Sequence, residues 1–254
     1  REVLGLRRSG KSDNVPIGLG ELDEHITWGL LPGKVTILAG RPSNGKSSFS
    51  YNVMKWWADR CIRGDDTDPR PALICSLEMG RTATQDAIVS RASGVPVDKI
   101  VKTFHSMDMD EQTRVASSVS KYVESPWLEW FDEPGASIDR IAEVIAMGSE
   151  EVSGGKLRSK YGMVVWDLFD KSLPDLSPSA ISEGLNKAQA IAKEFDIHLL
   201  LLAQIRRGVE RRGDKRPTRE DLKGSGGWEE VADQIIAVHR ESVYDPDLED
   251  DTME

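Results

Sequence analysis

Six short apolar runs, bounded by turn residues, constrain the fold of this chain most strongly. They are rich in Val, Ile and Leu, as is typical of parallel strands that are buried on both faces. Between them lie stretches with the apolar spacing of helices, at 46–61, 81–93, 110–123, 137–150 and 179–194. Strands that alternate with helices predict right-handed crossovers, and therefore an α/β fold with a mostly parallel central sheet and helices on both faces. The six runs are KVTILAG (34–40), PALICSLEM (71–79), WLEWFDEP (127–134), GMVVWDLFD (162–170), IHLLLLAQI (197–205) and ADQIIAVHR (232–240).

Composition and charge exclude several classes of protein. The 254 residues suffice for one large α/β domain or two small ones, and no apolar run approaches the roughly 20 residues of a membrane-spanning helix. No basic-then-apolar signal peptide is present either, so neither membrane insertion nor export is indicated. The formal net charge of −10 argues against indiscriminate nucleic-acid binding. Two cysteines without metal-ligand spacing favour a reducing, cytosol-type compartment.

Residues 40–47, GRPSNGKS, fit the phosphate-binding pattern G-x-x-x-x-G-K-[ST] and lie between a predicted strand and a predicted helix. Glycines let the backbone curl so that successive N–H groups point at one anion, and the start of the helix adds a positive dipole. Lys46 is expected to reach the β- and γ-phosphates of a nucleotide, and the Ser47 hydroxyl to ligate Mg²⁺. The predicted nucleotide-binding residues are Gly40, Arg41, Pro42, Ser43, Asn44, Gly45, Lys46, Ser47 and Ser48.

Polar residues at the ends of three further apolar runs narrow the chemistry. Asp167 ends GMVVWD and is expected on the Mg²⁺ side of the site, and Glu78 ends ALICSLE, where it could orient or deprotonate the attacking water. Gln204 ends LLLLAQ, and its amide can sense a γ-phosphate because it both donates and accepts hydrogen bonds. Ligands of parallel α/β sheets bind at the edge where such ends meet. We therefore predict catalytic roles for Lys46, Glu78 and Gln204, and Mg²⁺ ligation by Ser47 and Asp167.

The segments GRPSNGKS, SLEM, VVWD and DKRPTREDLKGSGG, in this order, resemble the RecA-like C-terminal motor domain of the DnaB family of hexameric replicative helicases. The resemblance implies a P-loop NTPase core at 18–244 that uses ATP and Mg²⁺. It also implies a linker at 1–17 that follows a further N-terminal region, and an acidic, flexible end at 245–254. In the family, the loop LKGSGG binds successive phosphates of single-stranded DNA, and its matching residues here are Lys223, Gly224 and Gly226.

The segment RRGVERRGDKRPTREDLK (206–223), which follows Gln204 and Ile205, contains eight basic and four acidic residues, a local net charge of +4. Phosphate contacts supply most sequence-independent affinity for DNA, and helicases bind without reading the bases. We therefore predict that Arg207, Arg211 and Arg212 also contact single-stranded DNA. Residues 206–227 as a whole are predicted to be one long irregular segment, and loops of that length are usually functional or disordered.

Several positions depart from the family's pattern. Ser47 replaces the usual Thr and keeps the hydroxyl, whereas Ala87 stands where an ungapped match places an arginine that approaches the phosphates in relatives. Asp170 adds a charge after Asp167. In the family a basic segment with an arginine finger follows the position of Tyr244, where this chain continues as DPDLEDDTME. We therefore expect this chain to be a fragment of a longer protein and, by itself, to bind nucleotide without hydrolysing it fast.

The resemblance implies an ATP-driven helicase that translocates 5′ to 3′ on single-stranded DNA, with ATP bound at the subunit interfaces of a homo-hexameric ring. The expected setting is the cytoplasm of a bacterium or a phage-infected cell, with primase and a helicase loader as candidate partners. Two alternatives stay open: a RecA- or KaiC-like ATPase assembly that does not unwind DNA, and a nucleotide-gated module that binds DNA or a partner with little turnover. The motifs SLEM and DKRP disfavour the first, whereas Ala87 and the absent finger segment keep the second open.

Overall fold

A six-stranded sheet, in which all neighbouring strands are parallel, forms the centre of the fold. The computed structural model describes residues 15–26, 29–65, 69–152, 155–222 and 225–244. Within these residues the strands are β1 (Val35–Gly40), β2 (Ala72–Ser76), β3 (Leu128–Phe131), β4 (Glu150–Val152), β5 (Lys156–Arg158), β6 (Met163–Asp167), β7 (His198–Gln204) and β8 (Gln234–Val238). The central sheet has the order β3-β2-β6-β7-β1-β8, and β4 and β5 form a separate hairpin. The predicted α/β fold and its six strands are confirmed.

Helices cover both faces of this sheet, as predicted. In the described part of the chain they are α1 (Glu21–His25), α2 (Lys46–Arg63), α3 (Arg81–Ser93), α4 (Val97–Lys102), α5 (Met109–Ser118), α6 (Ile138–Ala146), α7 (Pro178–Glu194) and α8 (Ser225–Val231). The five predicted helical stretches correspond to α2, α3, α5, α6 and α7. Local capping signals set several of these starts: the Asp108 and Ser137 side chains each accept a hydrogen bond from a backbone N–H in the first turn of α5 and α6.

Alternate residues of the strands point to opposite faces of the sheet and build two cores. Ile37 of β1 packs in one core with Ile141 of α6 and Leu185 of α7. Leu38, the next residue, packs in the other core with Met54 of α2. None of these five side chains is exposed to solvent. Because the sheet is buried on both faces, its strands are nearly continuous apolar runs rather than alternating ones.

One helix and one hairpin differ from the prediction. The helix predicted over 137–150 ends at Ala146, and the chain turns at Gly148, whose φ is 81°. Glycine occupies such a left-handed conformation without strain and commonly ends helices. The antiparallel hairpin of β4 and β5 follows. Its strands are short and mostly exposed, so a search for apolar runs misses them.

The segment predicted to be irregular, 206–227, contains more structure than expected. At its base, Ile205 and Leu222 form an antiparallel bridge, which fixes both ends of residues 206–222 beside β7. Two short 3₁₀ turns lie inside, at Arg207–Arg211 and Arg219–Asp221, and α8 begins before residue 227. We call residues 206–222 the basic loop.

Some predicted features lie outside the described residues: most of the linker at 1–17, the acidic end at 245–254, and both Lys223 and Gly224. Two residues assigned to the linker pack on the domain, because Val15 bridges to Gly29 and Ile17 is 1% exposed. Within the described ranges, no helix combines the length and the apolar character that a membrane span requires.

A buried histidine makes the fold sensitive to acid. The His198 ring is fully buried at the start of β7, and its Nδ1 lies 2.9 Å from the Leu31 carbonyl oxygen. Burial lowers the pKa of His198 to about 4, below its ordinary value of 6.5. The native state therefore stays neutral at a pH where the unfolded chain takes up a proton, so stability falls as the pH decreases from 6.5 towards 4.

We expect a His198→Gln variant to lack this pH dependence. The stability advantage of the wild type over the variant should shrink by about 1.4 kcal/mol between pH 7.5 and pH 5.5, since one pH unit below 6.5 corresponds to that free energy. Urea unfolding at both pH values measures it. His105→Gln, at an exposed histidine, is the control. An equal wild-type advantage at both pH values would contradict the prediction.

Candidate nucleotide-binding site

The carboxyl ends of four neighbouring strands form a row at one edge of the sheet. Gly40 at the end of β1 is in register with Gln204 of β7, and Asp167 at the end of β6 is in register with Ser76 of β2. β6 and β7 are themselves neighbours, which completes the row. This is the edge at which parallel α/β sheets bind their ligands.

A cleft of about 1050 Å³ lies along this row, a volume at the upper end of the range for small-molecule sites. The predicted catalytic and metal-binding residues all line it, together with residues 42–48 of the phosphate loop. Gly40 and Arg41 do not line the cleft. The residues in its walls that were predicted to act in catalysis or to bind the metal are Lys46, Ser47, Glu78, Asp167 and Gln204.

Two glycines allow the conformation of the phosphate loop. Gly45, directly before α2, has a φ of 95°, which is in the left-handed region. A Cβ atom at Gly40 would lie 3.0 Å from Lys46 Cγ and 3.1 Å from the Val238 carbonyl oxygen, so a side chain there would displace one of them. The loop leads into α2, an 18-residue helix whose N-terminal N–H groups and dipole favour a phosphate group.

The Lys46 ammonium group is held at the back of the loop. Its Nζ donates hydrogen bonds to the carbonyl oxygens of Gly40 (2.9 Å) and Arg41 (3.0 Å). An ammonium group has three N–H donors, so one remains for a phosphate oxygen. Burial lowers the pKa of Lys46, and the negative charges of Asp167 and Glu78 oppose this shift. A buried ammonium group of this kind is well suited to bind the negative charge of a phosphate group.

Ser47 and Asp167 form the part of the cleft that fits a Mg²⁺ ion. The Ser47 hydroxyl donates to Asp167 Oδ2 at 2.9 Å. Asp167 Oδ1 is also buried, but no hydrogen-bond donor reaches it among the residues that the structure describes. Burial raises the pKa of the Asp167 carboxyl group, and the hydrogen bond from Ser47 opposes this shift. Mg²⁺ prefers such oxygen ligands and completes its shell with phosphate oxygens and water.

Glu78 lies in a turn rather than at the end of a strand, which corrects the prediction. β2 ends at Ser76, although Leu77 N still donates to the Asp167 carbonyl oxygen at 2.6 Å. The Ser76 hydroxyl then donates to the Met79 carbonyl oxygen at 2.6 Å and closes the turn. Glu78 is therefore exposed and lines the cleft, where water can reach its carboxylate. The apolar run misled the prediction because it continues through Leu77.

Two side chains of the phosphate loop form hydrogen bonds with residues outside the loop. The Arg41 guanidinium group contacts the Glu210 carboxylate and the Ile205 carbonyl oxygen, both outside the phosphate loop. The Asn44 side chain, which is 2% exposed, accepts a hydrogen bond from Arg240 N at 3.0 Å. The loop is therefore tied to the start of the basic loop on one side and to the segment after β8 on the other.

The predicted DNA-binding residues have different environments. Arg207 and Arg211 are exposed in the basic loop, and within the part of the chain that the structure covers no acidic side chain pairs with either. Arg212 instead donates to Asp221 Oδ2 at 2.7 Å and to the Arg216 carbonyl oxygen at 2.9 Å, so it holds the loop closed. Gly226 is exposed in α8, and Lys223 and Gly224 lie outside the described residues.

Two walls of the cleft were missed by the sequence reasoning. One is formed by residues 18–22, and the other by residues 236–240 at the end of β8. The second wall could have been found, because β8 is parallel to β1 and its carboxyl end reaches the same edge. Residues 18–22 carry no comparable signal, since no strand precedes them among residues 15–17, where the described part of the chain begins. Their position depends on the Asp23 carboxylate, which accepts hydrogen bonds from the N–H groups of Gly18 (2.9 Å) and Leu19 (3.0 Å).

A phosphate loop between a parallel strand and a helix, with an acid at the end of a nearby strand, defines the class as a P-loop NTPase core of the RecA-like type. The chain belongs to the DnaB-like helicase C-terminal domain family, whose model matches residues 14–254. The family prediction is thus confirmed.

Named relatives agree with this assignment. The chain is 30% identical over 246 residues to the replicative DNA helicase DnaB of Leifsonia xyli and covers 50% of that protein, with 94% of this chain aligned. It is 29% identical to DnaB of Haemophilus influenzae (93% of this chain, 48% of the relative). It is 27% identical to the replicative DNA helicase DnaC of Bacillus subtilis (95% and 50%). The chain therefore spans about half the length of these relatives.

Solved structures share the fold closely. A DnaB-like replicative helicase, described together with its interactions with primase, superposes with a TM-score of 0.81 at 25% identity, over 98% of this chain and 57% of that one. The ATPase domain of a protein called G40P gives the same TM-score and identity, over 98% of this chain and 84% of that one.

Proposed function

We propose that this chain is an ATP-driven motor that moves along single-stranded DNA and unwinds duplex DNA. The observation that supports this most directly is the position of Gln204, which lines the nucleotide cleft and is separated from the basic loop by Ile205 alone. A side chain that can sense the γ-phosphate is thus joined to the segment that can bind DNA. Loss of the phosphate can then move the basic loop.

We assign ATP hydrolysis to residues that line the nucleotide cleft. Glu78 orients or deprotonates the attacking water, and Lys46 stabilises the negative charge on the transferred phosphoryl group. Ser47 and Asp167 hold Mg²⁺, which neutralises phosphate charge when bound. Gln204 contacts the γ-phosphate and responds to its release. The buried, orphaned Asp167 Oδ1 is the observation that most favours a metal at this position.

DNA binding is assigned to the basic loop and to the start of α8. Arg207 and Arg211 are exposed and available for phosphate oxygens. Gly226 is also exposed, and among the described residues no neighbouring atom lies within 4 Å of a Cβ built on it, so a DNA strand can approach its backbone closely. Lys223 and Gly224 complete the set by resemblance. Such contacts bind phosphates without reading bases, which is required of a motor that moves along DNA of any base sequence.

Assembly and partners follow from the family. The active form is proposed to be a homo-oligomeric ring, a hexamer by resemblance, with ATP bound where subunits meet and travel from 5′ to 3′. Primase is a proposed partner, because one of the structural relatives is described with primase. A helicase loader is proposed by resemblance to the family. The proposed compartment is the cytoplasm of a bacterium or an infected cell.

A fork-unwinding assay tests this function. A labelled fork with either a 5′ or a 3′ single-stranded tail is incubated with the chain, Mg²⁺ and ATP, and strand separation is measured. We expect slow separation that needs hydrolysable ATP and a 5′ tail. Hydrolysis without separation would favour a RecA- or KaiC-like ATPase. Nucleotide-dependent DNA binding without turnover would favour a gated binding module, and either result would contradict the proposal.

Replacement of Arg211 and Lys223 by alanine is expected to weaken single-strand binding uniformly across sequences. Two fewer phosphate contacts should reduce the slope of log affinity against log salt by about 1.4, at about 0.7 for each contact. Fluorescence anisotropy with oligonucleotides of two different sequences measures both effects. The matched control removes two exposed lysines elsewhere, Lys102→Ala with Lys156→Ala. Equal slopes for both double variants would disprove the loop assignment.

A further inference from the structure

The Arg41 side chain connects the phosphate loop to the basic loop. The side chain is 10% exposed, and its guanidinium group donates from Nε (2.8 Å) and Nη2 (2.7 Å) to the same carboxylate oxygen of Glu210. Its Nη1 donates to the Ile205 carbonyl oxygen at 2.9 Å. Charge-assisted hydrogen bonds of this kind are shorter and stronger than neutral ones. Arg41 and Glu210 thus form a firm connection between segments that are 169 positions apart.

Glu210 belongs to a part of the basic loop that is itself anchored. It lies in the 3₁₀ turn Arg207–Arg211, and its neighbour Val209 is fully buried in the core. The same turn contains the two exposed arginines that are proposed to contact DNA. A displacement of Glu210 would therefore move those arginines together with the turn, because the anchored turn moves as one unit.

The other end of the connection reaches the nucleotide through Lys46. Lys46 Nζ donates to the Arg41 carbonyl oxygen at 3.0 Å, and its remaining donor is available for a phosphate oxygen. A change in the phosphate contact alters the pull of the ammonium group on the Arg41 peptide unit. The Arg41 side chain is attached to that same peptide unit, so the change reaches Glu210.

We infer that the Arg41–Glu210 pair is a second coupling element between nucleotide and DNA, in addition to Gln204, and that Glu210 is a positioning residue for the basic loop. This inference rests on the proposed function, because it needs a basic loop that binds DNA. The pair sets how strongly the nucleotide state changes the affinity for a single strand. It takes no part in the chemistry of hydrolysis.

The test compares Glu210→Ala with Glu220→Ala in the full chain. Both changes remove one acid from the basic loop, but the exposed Glu220 makes no contact with the phosphate loop in the described structure. Anisotropy with a labelled oligo-dT measures DNA affinity in the presence of Mg²⁺ with ATPγS or with ADP. The ratio of the two affinities is the readout, because a general gain in affinity from the lost negative charge cancels in it.

In Glu210→Ala, we expect the ratio of the two DNA affinities to be smaller than in the wild type by about fivefold or more, the lower range of typical couplings between sites. In Glu220→Ala, we expect the ratio of the wild type. Coupling is reciprocal, so the factor by which oligo-dT changes ATPγS affinity should fall equally. Glu210→Gln, which keeps an acceptor oxygen, should restore part of the ratio. Thermal midpoints of all variants establish that they are folded.

The outcomes separate the two proposals. If the ratio in Glu210→Ala equals that of the wild type, the coupling role of the pair is overturned and the proposed function stays intact. An equal loss of the ratio in Glu220→Ala would also overturn it, because charge alone would then explain the effect. A wild type without any nucleotide-dependent DNA affinity would contradict the proposed function, and the coupling role with it.

Discussion

A Glu78→Gln variant is expected to bind ATP like the wild type but to hydrolyse it about 10²- to 10⁴-fold more slowly, the range typical of a lost general base. Glu78 is exposed in the turn after β2 and lines the cleft. Glutamine keeps the shape of the side chain but cannot take a proton from water. Phosphate release in the presence of single-stranded DNA measures the rate, and a fluorescent nucleotide measures binding.

The matched control for this variant is Glu124→Gln, at an exposed glutamate outside the cleft, which should leave both quantities unchanged. If DNA-stimulated hydrolysis survives in Glu78→Gln, the catalytic carboxylate has been assigned wrongly. If nucleotide binding is lost as well, Glu78 contributes to binding the nucleotide rather than to activating water.

A Lys46→Ala variant is expected to lose both binding and turnover. The ammonium group is the buried cation of the phosphate loop, and two loop carbonyl oxygens depend on it as a donor. Loss of a hydrogen bond to a charged group, about 1.5–3 kcal/mol, should weaken ATP binding by about 10- to 100-fold. Loss of a donor to the developing phosphoryl charge should lower turnover by a further 10²- to 10³-fold or so. Calorimetric titration with ATP and steady-state hydrolysis measure the two effects.

Lys102→Ala, which removes an exposed lysine outside the cleft, is the control for the change in net charge. Comparable ATP affinity in Lys46→Ala and the control would show that residues 40–47 are an ordinary turn. A loss of affinity with a thermal midpoint far below that of the control would instead indicate that Lys46 mainly holds the loop's own carbonyl oxygens.

The central sheet could be predicted because its residues obey a local rule. Strands buried on both faces, such as β1 and β7, appear as nearly continuous apolar runs. The hairpin of β4 and β5 obeys no such rule, since it is short, polar and mostly exposed. The helical start at the end of segment 206–227 was hidden for another reason. Its residues SGGWEEV contain two glycines directly after Ser225, and glycine is a poor helix former.

The part of the site that could be predicted consists of residues at the ends of strands. Asp167 and Gln204 lie where parallel strands must end together, so a topology argument places them beside the phosphate loop. The contacts of Arg41 and Asn44 follow no such rule. Each joins residues more than 160 positions apart, and the partner depends on how a loop packs rather than on how a strand pairs. Within the phosphate loop, local sequence specified the backbone conformation but not the direction of these two side chains.

The bridge between Ile205 and Leu222 has a consequence for how such motors can diverge. Because both ends of the basic loop are fixed beside β7, its length and charge can change at little energetic cost as long as an apolar residue keeps the buried position of Val209, while Gln204 and the cleft stay in place. Evolution or protein engineering could replace residues 206–221 as one segment. The affinity for nucleic acid would then change, while the proposed ATPase chemistry would stay the same. In such an exchange, we expect the contribution of Arg41 to coupling to persist only where the replaced segment retains an acid opposite Arg41.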